Sequence, residues 1–377
     1  MKKIFGKIKK FSLGIFKYLG FIISYRFGKL KYNHLFLNIT SLCNSNCVFC
    51  EVKGLSHKDD LEFERIKKLI KEAKDLGVRG VTFSGGEPFV YYKIWDLIDY
   101  TLGLGLDLNI TSNGLLIYNF SEEQFNVLKK IKNIFISLES ADAETHNQLR
   151  GGSDFFQKTV SGIKKLVEKN INVIIASVIS NKNYLKIDDL IKFTGELGVR
   201  EIVFQPLHIW TNYDSVEYLK SKDQMVLSPK ESADLKKKMK ASIKLAEKIG
   251  VKNNLANIVP WIDKYFEFQK PNPEKGRWIK NILPGYKCLE IFTKIFVGSD
   301  GGLLPCAMLS PRDNVKDKSL EQSLKSLNEM KREIRKGRFP AECDKCSCQV
   351  ASNFTFSLIL SPIKNFRYLL EFIKYKF

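Results

Sequence analysis

The sequence predicts a parallel α/β fold, arranged as a partial (βα)6 barrel of the TIM type. Two observations carry this prediction. Short apolar segments typical of strands alternate along residues 34–206 with longer segments of helical periodicity. Cysteine, glycine or polar residues follow several of these strand segments, at the edge where the carboxyl ends of parallel strands meet. Such alternation is typical of sheets in which helices connect each strand to the next.

The strand and helix segments follow one another in a regular order. The strand segments are 35–39, 78–83, 106–110, 134–137, 173–178 and 201–204. The helical segments are 59–76, 91–103, 121–130, 156–168 and 184–197. A connecting region then follows, with a long charged helix near 229–248 and three tryptophans that could line a pocket or belong to the core, Trp210, Trp261 and Trp278.

The composition is that of a packed globular protein. Hydrophobic residues make up 44% of the 377 residues and aromatic residues 12%, which excludes a largely disordered chain. The net charge is +20, from 61 basic and 41 acidic residues. A basic surface attracts nucleic acid or anionic lipid, but most of the basic residues are lysines and no nucleic-acid-binding module is recognisable. No nucleic-acid partner is therefore expected.

Both ends of the chain are basic and amphipathic. Residues 1–33 combine apolar positions at helical spacing with flanking lysines, and residues 351–377 combine basic and aromatic residues. These segments could lie on a membrane surface or cover apolar surface of the protein itself. The apolar run 11–25 is broken by Lys17, is too short to span a bilayer and has no signal-peptide cleavage site after it. The expected location is the cytoplasm, with peripheral contact to the inner membrane face left open.

The eight cysteines predict metal chemistry rather than disulfides, because no export signal accompanies them. Cys43, Cys47 and Cys50 form a CxxxCxxC loop directly after the first strand segment. Three thiolates this close together can hold three irons of a cubane cluster and leave the fourth iron open for chemistry. A closed zinc site is the alternative, but it requires a fourth ligand at zinc-ribbon spacing that this loop lacks.

The CxxxCxxC loop resembles the signature of the radical S-adenosylmethionine (SAM) superfamily. In that resemblance Phe49 is the aromatic residue that packs near the adenine of SAM. The second strand segment runs into Gly85, Gly86 and Glu87, which match the superfamily's GGEP segment. The resemblance implies that the glycines let the backbone approach the cofactor and that Glu87 attracts the methionine ammonium group.

Further matches extend the resemblance over most of residues 34–206. Asn113 follows the third strand segment, as in the family. Ser137, Glu139 and Arg150 belong to a block that looks like the SerLeuAsp…HisxxxArgGly pattern of the branch with a C-terminal auxiliary-cluster domain. The family usually has Asp where this chain has Glu139, so the implied ribose contact by Ser137 and Glu139 is displaced by one methylene. The resemblance also implies that Asn113 and Arg150 belong to the residues that bind SAM. His146 and Arg150 are expected on a loop or at a helix start.

The C-terminal cysteines resemble the SPASM domain and its shorter form, twitch. Cys288 precedes a strand-like segment at 291–297 and a glycine turn, and Cys306 follows that turn. Too few cysteines are present for the two extra clusters of a full SPASM domain, so one auxiliary [4Fe-4S] cluster is implied. Its ligands would be Cys288, Cys306, Cys343 and either Cys346 or Cys348, with structural zinc as the alternative. The thiol left over could be idle or could donate a hydrogen atom to a substrate radical.

The segments divide the chain into five expected parts. They are a basic N-terminal segment (1–33), the barrel (34–206), a connecting helical region (207–285), the auxiliary-cluster domain (286–350) and a C-terminal helix (351–377).

The resemblance implies a radical SAM oxidoreductase that binds SAM and two [4Fe-4S] clusters. Reductive cleavage of SAM would yield a 5′-deoxyadenosyl radical that abstracts hydrogen from an unactivated carbon. Net oxidation is expected, with the auxiliary cluster as electron acceptor and a reducing protein such as flavodoxin or ferredoxin as electron donor.

The expected substrate is a sugar, a cyclitol or a lipid-linked molecule. A peptide or protein delivered by a partner, and an epimerisation, are the alternatives. The catalytic proton acceptor is not identifiable from the sequence. A non-catalytic iron-sulfur carrier or an RNA-binding protein is a more distant alternative, disfavoured by the GGEP segment and by the absence of a recognisable RNA-binding module.

Overall fold

The computed structural model describes residues 23–25, 28–50, 57–207, 224–267, 286, 288–307, 309–341 and 343, with the single positions 357, 364–366, 368, 370 and 374. Several features predicted from the sequence lie outside these residues. They are nearly all of the amphipathic N-terminal stripe, most of the C-terminal helix, and four residues, Trp210, Trp278, Cys346 and Cys348.

The described strands form one ten-stranded sheet with the order β10-β9-β8-β1-β2-β3-β4-β5-β6-β7. The pairs from β1 to β7 are parallel, and β8 also runs parallel to β1. The strands are β1 (His34–Thr40), β2 (Gly80–Gly85), β3 (Asp107–Ser112), β4 (Asn133–Ser137), β5 (Val173–Ile179), β6 (Glu201–Pro206), β7 (Lys252–Asn253), β8 (Lys294–Val297), β9 (Gly302–Leu304) and β10 (Asp313–Asn314). The predicted parallel α/β fold and its six strands are therefore confirmed.

The predicted helical segments are also confirmed, several of them shortened at the amino end because 3-10 turns precede the helix. The helices are α1 (Phe63–Asp75), α2 (Ile94–Gly103), α3 (Glu122–Leu128), α4 (Ala143–Arg150), α5 (Phe155–Glu168), α6 (Ile187–Glu196), α7 (Pro229–Ile249), α8 (Leu255–Ile258), α9 (Ile262–Glu267), α10 (Glu290–Thr293), α11 (Leu320–Leu324) and α12 (Asn328–Arg335). The 3-10 turns are His57–Asp59, Pro88–Val90, Ile117–Asn119, Tyr184–Lys186 and Lys325–Leu327.

The core lies between the sheet and the helices. In β1 the side chains of Leu35, Leu37 and Ile39 are fully buried and alternate with half-buried neighbours. This period of two shows that one face of the strand is covered completely and the other only in part. Trp261, one of the tryptophans of the connecting region, is a buried core residue.

Helix α4 is an element that the sequence left undecided. Asp142 caps its amino end by accepting a hydrogen bond from Thr145 N at 3.0 Å. Gly151 ends it in the left-handed region at φ +80°, where glycine has no steric penalty. His146 and Arg150 therefore lie within an eight-residue helix rather than on a loop.

The strand predicted at 291–297 is wrong in its first half. Residues Glu290–Thr293 form the short helix α10, in which the Thr293 hydroxyl donates to Leu289 O at 2.9 Å. The extended strand begins only at Lys294, where the chain comes alongside His34 of β1. The local turn therefore satisfies backbone groups that have no neighbouring strand to pair with.

The C-terminal hairpin is tied to α1 by backbone and side-chain hydrogen bonds. The Arg65 guanidinium donates to Val315 O at 2.7 Å and to Lys318 O at 2.8 Å. Leu320 N donates to the Glu72 carboxylate at 2.9 Å. The hairpin β8–β9 and the segment after it thus continue the main sheet and are held against its first helix.

Candidate active site

The CxxxCxxC loop leaves the carboxyl end of β1, at the edge of the sheet where α/β proteins place their functional residues. Cys47 is buried and Cys50 half-buried, whereas Cys43 has an exposed surface. The Cys43 sulfur nevertheless lies against protein, and burial raises the pKa of its thiol to about 11. A backbone hydrogen bond from Ser45 opposes this shift, while Glu87 and the other two cysteines add to it. The three thiols are therefore close enough to influence one another electrostatically.

The Gly85–Gly86–Glu87 segment packs directly on the stem of this loop, which is the segment 40–42 that leads from β1 to Cys43. Gly86 N donates to Thr40 O and Glu87 N donates to Leu42 O, each at 2.8 Å. Gly85 has φ +127°, and a Cβ on Gly86 would lie 1.9 Å from Leu42 O. The glycines thus permit a close approach to the chain's own backbone, in addition to any approach to a cofactor that the resemblance implies.

Glu87 is buried, with 1% of its surface exposed, at the centre of a hydrogen-bond network. Its carboxylate accepts from Asn113 N at 2.7 Å, from Ser112 Oγ at 2.8 Å and from Phe89 N at 3.1 Å. Burial raises the pKa of this carboxyl to about 7, because it outweighs these three hydrogen bonds, each of which lowers the pKa. The group therefore changes charge near neutral pH.

If Glu87 attracts the methionine ammonium, SAM affinity should rise about five- to tenfold between pH 6.0 and pH 7.5. A carboxyl whose raised pKa is about 7 is mostly neutral at the lower pH and mostly ionised at the higher, and the amino group of SAM stays largely protonated in this window. Anaerobic equilibrium dialysis of iron-loaded protein measures this change. Glu87→Gln should bind SAM more weakly and without the pH dependence. An equal pH dependence in that variant would show that another group is responsible.

Asn113 links the Glu87 network to the cysteine loop. Its amide nitrogen donates to Asn44 Oδ1 at 2.8 Å and lies 3.9 Å from Cys43 Sγ. Its side-chain oxygen accepts from Leu115 N at 2.9 Å, which orients the amide. The carboxyl ends of β1, β2 and β3 therefore meet at one place, as the sequence predicts for residues of this kind.

Glu139 and Arg150 form a buried ion pair beside the loop. The other carboxylate oxygen of Glu139 accepts from Val178 N at 2.7 Å. Both oxygens are thus bonded within the protein, whereas Ser137 lies half-buried at the end of β4. Phe49 is half-buried, and the Arg150 guanidinium lies 5.4 Å from the centre of its ring.

Two residues that support Glu139 were not predicted from the sequence as site residues. His146 Nδ1 lies 3.2 Å from Glu139 N and accepts its hydrogen bond. Asn183 donates to Glu139 O at 2.9 Å and to Val178 O at 2.8 Å. Asn183 follows the carboxyl end of β5, and this position after a strand is the sequence feature by which it could have been identified as a site residue.

The register of the hairpin places Cys306 at the opposite edge of the sheet. β9 runs antiparallel to β8 and ends at Leu304, which pairs with Phe296, so Cys306 follows the end of β9 that lies toward the start of β8 at Lys294. Lys294 pairs with His34, the first residue of β1. Cys43 follows the other end of β1, and a strand of seven residues spans about 23 Å. The two cysteine sets are therefore separated by the length of a strand.

The segments that carry Cys288 and Cys343 contact each other. Cys288 precedes α10, and the ring of Tyr286 lies 6.0 Å from that of Phe339, four residues before Cys343. The three cysteines are half-buried against the core. The remaining two predicted ligands of this set, Cys346 and Cys348, lie outside the described residues.

The donor set of the first loop fits an iron-sulfur cluster. In the part of the chain that the structure describes, no group of three His, Cys, Asp or Glu side chains is arranged to hold one ion. A cubane differs because each of its irons takes one thiolate, so the thiolates surround a volume instead of meeting at a point. Asn113 near Cys43 and Arg150 on Cys47 also supply N–H groups toward thiolate sulfurs.

A parallel α/β sheet that joins a three-cysteine loop to a buried Gly-Gly-Glu turn defines a protein that binds SAM beside an iron-sulfur cluster. Residues 37–194 match the family model described as "Radical SAM superfamily". Residues 37–194 are therefore similar to a radical SAM domain, a domain whose cofactors are a [4Fe-4S] cluster and SAM.

Two curated relatives are similar to part of the chain. The sporulation killing factor maturation protein SkfB of Bacillus subtilis is 31% identical over 165 residues, which are 43% of this chain and 39% of SkfB. A probable GTP 3′,8-cyclase of Archaeoglobus fulgidus is 30% identical over 177 residues, or 46% of this chain and 57% of the cyclase. The matches thus cover less than two thirds of the length of each relative.

Two solved structures share the fold over more of the chain. Streptococcus suis SuiB bound to precursor peptide SuiA has a TM-score of 0.60 at 20% identity, covering 82% of this chain and 67% of SuiB. Native anSMEcpe with bound AdoMet and the Cp18Cys peptide has a TM-score of 0.59 at 16% identity, covering 91% and 96%. At these identities the likeness shows that the chain shares the fold of these two structures.

Among the residues that the structure describes, no helix combines the length and apolar character needed to cross a bilayer.

Proposed function

We propose that this chain is a radical SAM enzyme whose first cluster is held by Cys43, Cys47 and Cys50. When bound, the cluster supplies the electron that splits SAM into methionine and a 5′-deoxyadenosyl radical, which removes hydrogen from an unactivated substrate carbon. The observation that carries the proposal is the direct backbone pairing of Gly86 and Glu87 with the cysteine loop. This pairing puts the residues expected to bind SAM next to the expected cluster ligands.

The residues around the loop then have separate tasks. The Gly85–Glu87 segment binds the methionine ammonium, and the Glu87 carboxylate, whose oxygens already accept three hydrogen bonds from the protein, attracts it by charge and not by direct contact. Asn113 holds the cysteine loop and the Glu87 carboxylate in one network. Phe49 packs near the adenine, and Ser137 contacts the ribose. Glu139 is already bonded through both carboxylate oxygens, so the ribose contact is proposed for Ser137 alone.

The proposed reaction is a net oxidation with the auxiliary cluster as electron acceptor. Because the two cysteine sets lie toward opposite ends of β1, the auxiliary cluster is proposed to accept the electron without contacting the substrate. Cys288, Cys306 and Cys343 are proposed as its ligands, with the fourth supplied by Cys346 or Cys348. A flavodoxin- or ferredoxin-like protein is the proposed electron donor to the first cluster.

A peptide or protein delivered by a partner is the substrate class that the comparisons favour. SkfB is named a maturation protein, and the SuiB and anSMEcpe structures contain peptides. A small molecule is the second candidate, since the relatives also include a probable GTP 3′,8-cyclase. The sugar, cyclitol or lipid-linked substrate expected from the sequence belongs to this second class.

Anaerobic SAM cleavage tests the proposed function. Protein reconstituted with iron and sulfide should release 5′-deoxyadenosine when dithionite is added, even without substrate, and release should depend on the reductant. A synthetic peptide carrying Ser or Cys, and separately a nucleoside triphosphate, should be compared for faster release. Iron-loaded protein that binds SAM but never cleaves it would contradict the proposal and favour a non-catalytic iron-sulfur carrier.

A further inference from the structure

The carboxyl end of α4 is docked on the cysteine loop. Ser45 Oγ donates to Arg150 O at 2.9 Å, and Val48 N donates to Leu149 O at 3.1 Å. A Cβ on Gly151 would lie 2.3 Å from Asn46 O, so the two backbones are in contact. The loop between Cys43 and Cys50 therefore rests on the last turn of this helix.

The Arg150 side chain reaches from that turn to a proposed cluster ligand. One guanidinium nitrogen donates to Cys47 Sγ at 3.5 Å, and the other forms the ion pair with Glu139. The two side chains are 12% and 0% exposed, respectively. The guanidinium is thus a buried positive charge placed directly on a cysteine sulfur.

Glu139 is held rigidly enough to fix the direction of this guanidinium. Its carboxylate accepts from Val178 N, its own N–H donates to His146, and its carbonyl accepts from Asn183. These contacts come from β5, α4 and the segment after β5. The extra methylene of Glu, compared with the Asp usual in the family, gives this carboxylate a longer reach.

We infer that Glu139 and Arg150 form a buried clamp that holds the cysteine loop and raises the reduction potential of the first cluster through Cys47. This inference rests on the proposed function, because it takes Cys47 as a cluster ligand. In this inference Arg150 acts on the cluster ligand Cys47, whereas the resemblance alone implied that Arg150 contacts SAM. N–H groups on the sulfurs and nearby net charge are among the determinants of iron-sulfur potentials. A donor and a positive charge at Cys47 favour the reduced cluster, which carries one more negative charge.

The clamp predicts that substitutions of its two residues shift the reduction potential of the first cluster in opposite directions. Arg150→Gln removes the cation and leaves the Glu139 anion, so the reduced cluster is disfavoured. Glu139→Gln leaves the cation beside Cys47, so the reduced cluster is favoured. A role in SAM binding alone predicts neither shift when SAM is absent.

The test is an EPR-monitored redox titration of the reconstituted full chain without SAM. At a fixed solution potential, Arg150→Gln should lower the ratio of reduced to oxidised first cluster about tenfold, which for a one-electron couple is a shift of about 59 mV. Glu139→Gln should shift the potential the other way. Lys158→Gln, which breaks the exposed Lys158–Asp154 pair on the neighbouring helix, is the matched control and should leave the potential unchanged.

The outcomes separate this inference from the proposed function. Normal iron loading with unchanged potentials in both variants, even with weaker SAM binding, would overturn the clamp and leave the proposed function standing. A wild-type chain that binds no cluster at Cys43, Cys47 and Cys50 would overturn the proposed function itself. If one variant fails to load iron, the double variant Glu139→Gln/Arg150→Gln replaces it, because this variant removes both buried charges together. A first-cluster reduction potential equal to that of the wild type would then contradict the inference, and a lower potential would support it.

Discussion

Replacing Cys43, Cys47 and Cys50 together by alanine should lower the iron content from about eight to about four atoms per chain and abolish formation of 5′-deoxyadenosine. The reason is that each of these thiolates is proposed to hold one iron of the cluster beside the Glu87 network. Iron and sulfide analysis after anaerobic reconstitution, together with chromatography of the nucleoside product, measures both effects. The remaining iron should belong to the C-terminal set at the other edge of the sheet.

The reciprocal variant is the control for this experiment. Alanine at Cys288, Cys306 and Cys343 should also leave about four irons, but SAM cleavage should persist, because these cysteines lie about one strand length from the cysteine loop. About four irons in the wild type and none in the first variant would show that the chain holds no auxiliary cluster, and net oxidation would lose its proposed electron acceptor. Zinc without iron would contradict the radical SAM chemistry altogether.

Gly86→Ala should destabilise the protein by about 3 kcal/mol, at the upper end of the usual cost of overpacking. A Cβ at this position would lie 1.9 Å from Leu42 O and 2.8 Å from Ser41 O. These are backbone atoms of the cysteine loop stem, which cannot move aside as a flexible side chain can. The loop would have to shift, and iron loading should fall together with the free energy of unfolding. Urea unfolding of the apoprotein and iron analysis after reconstitution measure the two effects.

Gly103→Ala provides a matched control for that substitution. Gly103 ends helix α2, and a Cβ built there meets no atom within 4 Å. Alanine in a helix is favoured over glycine by about 0.5–1 kcal/mol, so this variant should be as stable as the wild type or slightly more stable. Equal stability of Gly86→Ala and the wild type would show that the contact between the GGEP segment and the cysteine loop is not tight in solution.

Local sequence signals predicted some elements almost to the residue. Helix α7, predicted near 229–248, begins at Pro229 after the N-cap Ser228 of a capping box and ends at Ile249, before Gly250 with φ +73°. These signals act within a few residues of the chain, so they can be recognised without a neighbour. Helix α4 has the same kind of ends at Asp142 and Gly151, but it is only eight residues long. Its weak periodicity left it undecided.

The contacts between elements distant in the sequence could not be predicted in this way. The pairing of β8 with β1, for example, depends on two segments about 260 residues apart, beginning at His34 and Lys294. The strand predicted from 291 was wrong in its first half because its backbone can be extended only where β1 lies alongside and accepts or donates its hydrogen bonds. That begins at Lys294. The same pairing places Cys306 and Cys43 at opposite edges of the sheet.

The sequence by itself determined the parallel α/β fold, the radical SAM motifs and the candidate ligands, because these depend on residue type and local spacing. Only the tertiary structure decided that the glycines of the GGEP segment pack on the cysteine loop itself. It also decided that Glu139, which resembles a ribose-binding position, is bonded to Arg150 and to Val178 N. The physical reason is that hydrogen bonds and ion pairs are directional and of short range, so they form between whichever groups the fold brings within about 3 Å of each other.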